Sequence, residues 1–210
     1  MHRFYLLNIT LNDITPSVWR KFVVPADISL DRLHDVIQIV MGWDDSHLHQ
    51  FAFKKQVFTE FPDSTNDENE SFTRLNELLK KKKNSLIYTY DFGDNWEHVV
   101  TLEDSNFKPE DPSEYFQCID GENNCPPEDC GGSYQYQRMI DALKDPQNNK
   151  EDYEEFTEIL GIKDDESLND FNEFTRFFDP DVVTGALMLY SRWSRDRMLT
   201  LIDENDERFA

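Results

Sequence analysis

The sequence predicts an α+β fold: an N-terminal mixed or antiparallel sheet with one long helix and a β-hairpin, followed by a mostly helical C-terminal half. Three observations carry this expectation. Residues Ser85 to Glu103 alternate apolar and polar side chains on both sides of Gly93-Asp94-Asn95, the pattern of a hairpin around residues that tolerate a left-handed turn. Residues 30–41 repeat apolar side chains at helical spacing and stop at Gly42. After Gly132 the strand signals end and apolar residues recur at helical spacing only. Strands and helices are segregated in the chain, which argues against an alternating, doubly wound sheet.

The elements follow in order. Phe4 to Leu11 reads as a strand with Tyr5, Leu7, Ile9 and Leu11 on one face, and Ile14-Thr15-Pro16 as a turn. Val18 to Val24 is a second strand, ended by Pro25. Ser29 is the expected N-cap of a helix whose stripe is Leu30, Leu33, Ile37, Val40 and Met41. A polar loop, Trp43-Asp44-Asp45-Ser46-His47-Leu48-His49-Gln50, leads into a third strand, Phe51 to Phe58. Thr59 to Ser71 reads as an acidic mobile loop and Leu75 to Lys83 as a short helix before the hairpin. Asp104 to Phe116 is expected to be a connection. Cys118 to Gly132 reads as irregular, because Gly121, Pro126, Pro127, Gly131 and Gly132 oppose a regular element. Ser133 is expected to cap a helix with Tyr136, Met139, Ile140 and Leu143 inward. Tyr153, Phe156 and Leu160 mark another, stopped by Gly161. Ser167 with Asp170 reads as a capping box before Leu168, Phe171, Phe174 and Phe178, and Asp179-Pro180 opens a final helix to about Ile202.

Composition narrows the function classes. A chain of 210 residues with sixteen Phe, eight Tyr and four Trp buries a real, aromatic-rich core. The net charge is −22, with most of the excess in residues 106–210. That opposes duplex-DNA binding, whose affinity rests on neutralising phosphates, and suits a basic protein partner or mimicry of a nucleic acid. Lys80 to Lys83 is the one basic run and reads as a solvated helix end. No apolar run reaches the ~18 residues of a membrane span. Three cysteines without a secretory signal predict a cytoplasmic protein with reduced thiols.

The chemistry concentrates at the hairpin. Asp91, Asp94 and His98 lie within eight positions, beside Phe92 and Trp96. With His47 and His49 they form a candidate metal set of imidazoles and carboxylates, suited to zinc, manganese or iron, with Glu128 or Asp129 as a general base. The competing reading makes His98 a hydrogen-bonded core-edge histidine and His47 and His49 turn or sheet-edge residues. Asp91-Phe92-Gly93 lacks the glycine-rich loop, strand lysine and catalytic loop of a kinase. Cys125-x₄-Cys130 lacks the second pair of a zinc knuckle, so buried thiols are expected. Trp19, Arg20, Trp43 and Trp96 are further candidates for lining a cleft, and Arg192, Arg195 and Arg197 give the last helix a basic face.

Taken in order, Val18-Trp19-Arg20, Leu33-His34, Gly42-Trp43, His47-Leu48-His49-Gln50-Phe51, Tyr90-Asp91-Phe92-Gly93-Asp94-Asn95-Trp96-Glu97-His98, Pro126-Pro127-Glu128-Asp129-Cys130-Gly131-Gly132 with Tyr136, and Phe178-Asp179-Pro180 resemble the plasmid pRi ORF-three-like family, also labelled transposon-passenger or TnpR-like proteins. The resemblance implies one compact α+β domain over residues 1–182, with 183–210 a C-terminal helical extension, in a protein associated with mobile elements. It implies no reaction. The sequence carries neither a basic DNA-binding tail nor a serine nucleophile with an arginine cluster, as a resolvase would. Two readings lead, and nucleic-acid mimicry, which requires acids spaced like phosphates on one face, is a third. The first is an acidic interaction or accessory module with a Trp/His/Asp cleft. The second is a metal-dependent hydrolase, phosphoesterase-like, for which the hairpin, the His47–His49 loop and the Cys125–Gly132 loop must converge.

Overall fold

A computed structural model of the chain describes residues 3–109, 115–159, 161–163, 168–169 and 175–193. Its centre is one eight-stranded mixed sheet. The strands are β1 (Phe4–Leu11), β2 (Trp19–Pro25), β3 (His49–Phe53), β4 (Gln56–Thr59), β5 (Asp67–Asn69), β6 (Ser85–Tyr90), β7 (Trp96–Phe107) and β8 (Gln117–Glu122), in the spatial order β5-β4-β3-β6-β7-β1-β2-β8. All neighbours run antiparallel except β4 and β5. The helices among the described residues include α1 (Leu30–Met41), α2 (Leu75–Leu78), α3 (Gly132–Lys144), α4 (Lys150–Ile159) and α5 (Pro180–Trp193), with a 3₁₀ turn at Glu70–Phe72.

The expected hairpin is β6–β7, and its period of two is real. Trp96, His98, Val100 and Leu102 are buried while Glu97 is exposed. α1 starts after Ser29 and ends at Gly42 as its stripe requires. Ser29 has extended backbone but makes no side-chain cap; its hydroxyl instead donates to Asp31. At α5 the expected cap forms: the amides of Asp181 and Val182 donate to Asp179 Oδ1, ahead of Pro180 at the first helical position.

Several expectations are corrected. The C-terminal half is not mostly helical, and the sheet is larger than predicted. β7 runs on to Phe107, and Gln117–Glu122 is an edge strand paired to β2, although it lies in the segment read as irregular. Phe51 to Phe58 is two strands, folded back at Lys54, where φ is positive. The acidic loop contains β5 and the 3₁₀ turn. α2 is one turn long, and α3 begins two residues early, after a left-handed Gly131 rather than a serine cap. The expectations at Leu160, Ser167, Asp170, Phe171, Phe174, Arg195 and Arg197, and for the helix beyond Trp193, fall outside the described residues.

α1 lies against β2 and is flanked by α5 and the 3₁₀ turn, while α5 covers the β8 edge. Thr184 locks this edge: its hydroxyl accepts the Cys118 amide at 3.0 Å and donates to the Cys118 carbonyl at 3.2 Å. On α1, Asp35 accepts from Tyr190 and pairs with Arg32, whose guanidinium lies over the Tyr190 ring. Covering β8 removes a free sheet edge that would otherwise invite pairing with another chain.

Arg20 is 1% exposed and has three carbonyls for partners. Its Nε donates to Val40 O, and its Nη1 donates to Trp19 O and Glu122 O. The guanidinium lies 3.9 Å from the Phe178 ring centroid. It therefore ties β2, β8, the end of α1 and the approach to α5 into one body. Burial lowers its pKa to about 10, so it stays charged at neutral pH.

Gly121 is where these parts touch. A Cβ there would lie 2.5 Å from Phe178 Cε1, 2.8 Å from Trp19 O and 2.9 Å from Arg20 Cδ. Gly121→Ala is expected to lower unfolding free energy by about 1–3 kcal/mol, the range for overpacking a filled site. Urea denaturation of both proteins measures it, and an unchanged midpoint would contradict this account of Arg20 and Phe178.

Candidate functional site

The site begins with a buried tryptophan. Trp43 follows α1 directly and packs against Tyr90, Trp96 and His98, with ring centroids 5.3, 5.4 and 6.1 Å away. The residues that follow, Asp44 to Ser46, are exposed, yet their amides are tied to protein acceptors. Three consecutive amides find them on three different elements. Asp44 N–H donates to Glu128 Oε1 at 2.8 Å, Asp45 N–H to Gln38 Oε1 at 2.9 Å, and Ser46 N–H to the Tyr90 hydroxyl at 3.0 Å. The Tyr90 hydroxyl in turn donates to Glu128 Oε1 at 3.0 Å.

His47 is the next residue, and this scaffold delivers it to a cluster of acids. Its Nδ1 is 3.8 Å from Asp91 Oδ1; its Nε2 is 3.3 Å from Asp129 Oδ1 and 3.8 Å from Glu128 Oε2. Donor atoms of His47, Asp91 and Asp129 all lie within 4.8 Å of one another. Asp91 is buried and Asp129 is 78% exposed at its side chain, so the cluster opens to solvent on the Asp129 side. His47 Nε2 and Glu128 Oε2 are inaccessible and have no hydrogen-bond partner. Two facing polar atoms left unpaired are uncommon in a folded protein, because each forfeits its bonds to water.

Local backbone geometry aims these groups. Asp91, Asp129 and Asp45 have φ of 54°, 56° and 54°. Asp is one of the few residue types that tolerates the left-handed region. Asp91 Oδ1 also accepts the Gly93 amide at 2.8 Å, closing an Asx turn. Asp94 docks the opposing loop. Its Oδ2 accepts the Gly131 amide at 3.0 Å, and Gly132 (φ 76°) lies so close to the Asp94 carbonyl that a Cβ would collide with it. Glu128 and Asp129 are thereby held against the hairpin turn.

The predicted residues thus divide. His47, Asp91, Glu128 and Asp129 come together. Asp94 supports their loop without joining them. His98 lies in the core, fully buried, with Nδ1 3.3 Å from the Tyr88 carbonyl and Nε2 3.4 Å from the Trp43 indole N–H. His49, at the start of β3, turns to Glu70, with both carboxylate oxygens 3.0 Å from its Nε2. Trp43 and Trp96 form the buried floor. Trp19 and Arg20 lie at the β2–β8 edge, where Trp19 Nε1 donates to Glu122. Cys118, Cys125 and Cys130 are free, and burial pushes Cys118 up to about 11 and Cys130 to about 12 and raises Cys125 well above its ordinary value.

The sequence reading missed a second layer behind the cluster. His34 of α1 stacks on His49 with centroids 3.5 Å apart and planes 2° from parallel. Gln38 Nε2 donates to the Tyr88 hydroxyl at 2.8 Å, which leaves that hydroxyl to donate to His34 Nδ1, also at 2.8 Å. His34 Nε2–H then donates to Asp45 Oδ1 at 2.8 Å. The available signal was two polar residues, His34 and Gln38, on the inward stripe of an amphipathic helix.

With the geometry in place, kinship can be read against it. The chain is a member of the family described as Plasmid pRiA4b ORF-3-like protein, which it matches over residues 3–184. It is 34% identical over 194 residues to the uncharacterized protein y4hQ of Sinorhizobium fredii, covering 90% of this chain and 93% of that one. The fold is similar to the crystal structure of a protein of unknown function, MM3350 from Methanosarcina mazei Go1, with TM-score 0.68 and 31% identity over 86% of this chain and 97% of that one. Among the described residues, no helix is long and apolar enough to cross a membrane.

The histidines set a pH dependence. Burial holds His98 at about 4, and burial followed by the neighbouring His49 holds His34 at about 4, against an ordinary 6.5. Both pKa values are depressed, so the unfolded chain takes up protons first as pH falls. Their contribution is complete above pH 6.5 and is lost between 6.5 and 4. For His98 the full shift corresponds to about 3 kcal/mol. Urea midpoints at pH 7.0, 5.5 and 4.5 are expected to fall in that order, and a smaller fall is expected in His98→Leu. Equal slopes in the two proteins would mean that His98 is not a neutral core residue.

Proposed function

We propose that the chain is a divalent-cation-dependent hydrolase whose ion is held by His47, Asp91 and Asp129, with Glu128 as general base. The observation that carries this reading is the meeting of these four residues, from three separate loops, around two buried and unpartnered atoms. Adjacent donors in a coordination sphere of radius about 2.1 Å are about 3–4 Å apart. His47 Nε2, the ring nitrogen facing Asp129 at 3.3 Å, is in that range, and with one donor atom from each residue the three lie within 4.8 Å of one another. Three protein ligands leave a position for water, as catalytic sites require. Glu128 Oε1 is occupied by two donors, so Oε2 is the oxygen available to take a proton from that water.

Charge selects the substrate. Two carboxylates and one divalent ion balance, and Glu128 adds a negative charge at the reacting position. A neutral ester or amide suits such a site better than a phosphate ester, whose own charge Glu128 and the acidic surface repel.

A specific observation favours the interaction-module reading as the second. Leu48 and Phe92 are more than half exposed and flank the same cluster, and the Leu48 carbonyl accepts the Asp91 amide. A basic partner with an apolar anchor fits there.

The test is calorimetric titration of tag-free, chelator-treated protein with Mn²⁺ and Zn²⁺. The wild type is expected to bind one equivalent, His47→Ala to lose at least tenfold in affinity, and Glu151→Gln, an exposed acid of α4, to bind as the wild type does. Glu128→Gln is expected to keep the metal and lose hydrolysis in a screen of neutral esters and amides. No uptake of either metal by the wild type would rule the hydrolase out and turn the search to a protein partner.

A further inference from the structure

We infer that His34 is a positioning residue for His47, acting through Asp45, and that the stacked His34–His49 pair fixes the cation site from behind. The inference rests on the proposed cation site and goes a layer deeper.

The chain of contacts is continuous. Glu70, 2% exposed, holds His49 through both carboxylate oxygens. His49 stacks face to face on His34. Tyr88 and Gln38 fix the His34 ring so that Nε2–H points to Asp45 Oδ1. Gln38 holds Asp45 a second time, through its backbone amide. Asp45 is the left-handed corner two residues before His47, so its orientation sets the direction in which the chain presents the imidazole.

The geometry does not look like a device for stability alone. Two imidazoles, a carboxylate, a carboxamide and a phenol are placed in the interior, where apolar side chains would cost less desolvation. Every link ends at the one loop that carries His47. Metal sites depend on such outer partners, and losing one typically weakens affinity 10–100-fold. The same layer joins the cation site to the Asp67–Phe72 segment, since Glu70 belongs to its 3₁₀ turn.

The experiment uses the full-length chain and Mn²⁺ as the probe. His34→Leu removes the donor to Asp45, whereas His34→Gln retains an N–H donor at the same reach. Asp45→Gly removes the acceptor from a side chain that is 60% exposed and still allows the left-handed corner, so it tests the same link without disturbing the core. Mn²⁺ affinity is expected to fall at least tenfold in His34→Leu and Asp45→Gly, and to recover most of the way in His34→Gln. Backbone amide exchange of Asp45 and Ser46, read by NMR in the metal-free proteins, is expected to speed up in the first two variants while the Tyr88 and Val100 amides keep their protection. A lower melting temperature with unchanged Mn²⁺ affinity and unchanged loop exchange would overturn the inference and leave His34 a packing residue. If the wild type takes up no Mn²⁺, the cation site itself fails. The exchange data then decide alone whether His34 orders the loop.

Discussion

Burial of Trp43 is the constraint from which the site follows. An indole carried just after a helix and packed under Tyr90, Trp96 and His98 anchors the exposed residues Asp44, Asp45 and Ser46 against the body of the protein. The amides of these three residues take side-chain acceptors that the anchor brings within reach. Glu128, Gln38 and Tyr90 meet the demand from a loop, a helix and a strand. Packing thus dictates hydrogen bonding, and hydrogen bonding decides where His47 points. The acids at the cluster are also those that hold the backbone: Glu128 spends one oxygen on the loop and keeps the other for the site.

The parts of this fold that were legible in the sequence are those in which one side faces the core and the other faces water. The β6–β7 hairpin and α1 announce themselves because their periods, two and 3.6, register burial directly. β8 was not legible. Its residues, Gln117 to Glu122, show little apolar alternation, and its pairing with β2 depends on Gly121 leaving room for Phe178, a partner far along the chain. β5 is three polar residues held in place by β4. Such elements are set by their neighbours, and no local pattern records them.

For the site, residue types were legible and convergence was not. His47 and His49 are two apart and were grouped together, yet the loop ends between them. His49 enters β3 and turns to Glu70, while His47 stays with the acids. Asp44 and Glu128, joined by one of the bonds that matter most, are 84 positions apart. His98 alternates correctly with Trp96 and Val100, and that alternation was itself the clue that it belongs to the core. His34 and Gln38 were visible on the inward face of α1, but their meaning needed Asp45 and Tyr88 beside them.

Among the described residues, the cluster's acids are held without a lysine or arginine ion pair. Its neutralising contacts are dipoles: the Asp44 and Gly93 amides and the Tyr90 hydroxyl. Dipoles held rigidly by α1, the hairpin and the Gly131–Gly132 approach can keep carboxylates close but only partly offset their repulsion. Asp91 and Asp129 add the cost of left-handed backbone at the same point. Repulsion and two polar atoms without hydrogen bonds are the features of this cluster that an occupant would relieve. Under the proposed reading a divalent ion does so, because one charge of +2 attracts the carboxylates, takes the lone pair of the imidazole and leaves an open position for water. An apolar anchor with a basic group, the alternative occupant, would satisfy the charge and the Leu48–Phe92 rim but not the imidazole lone pair, which is why His47 is the residue that separates the two.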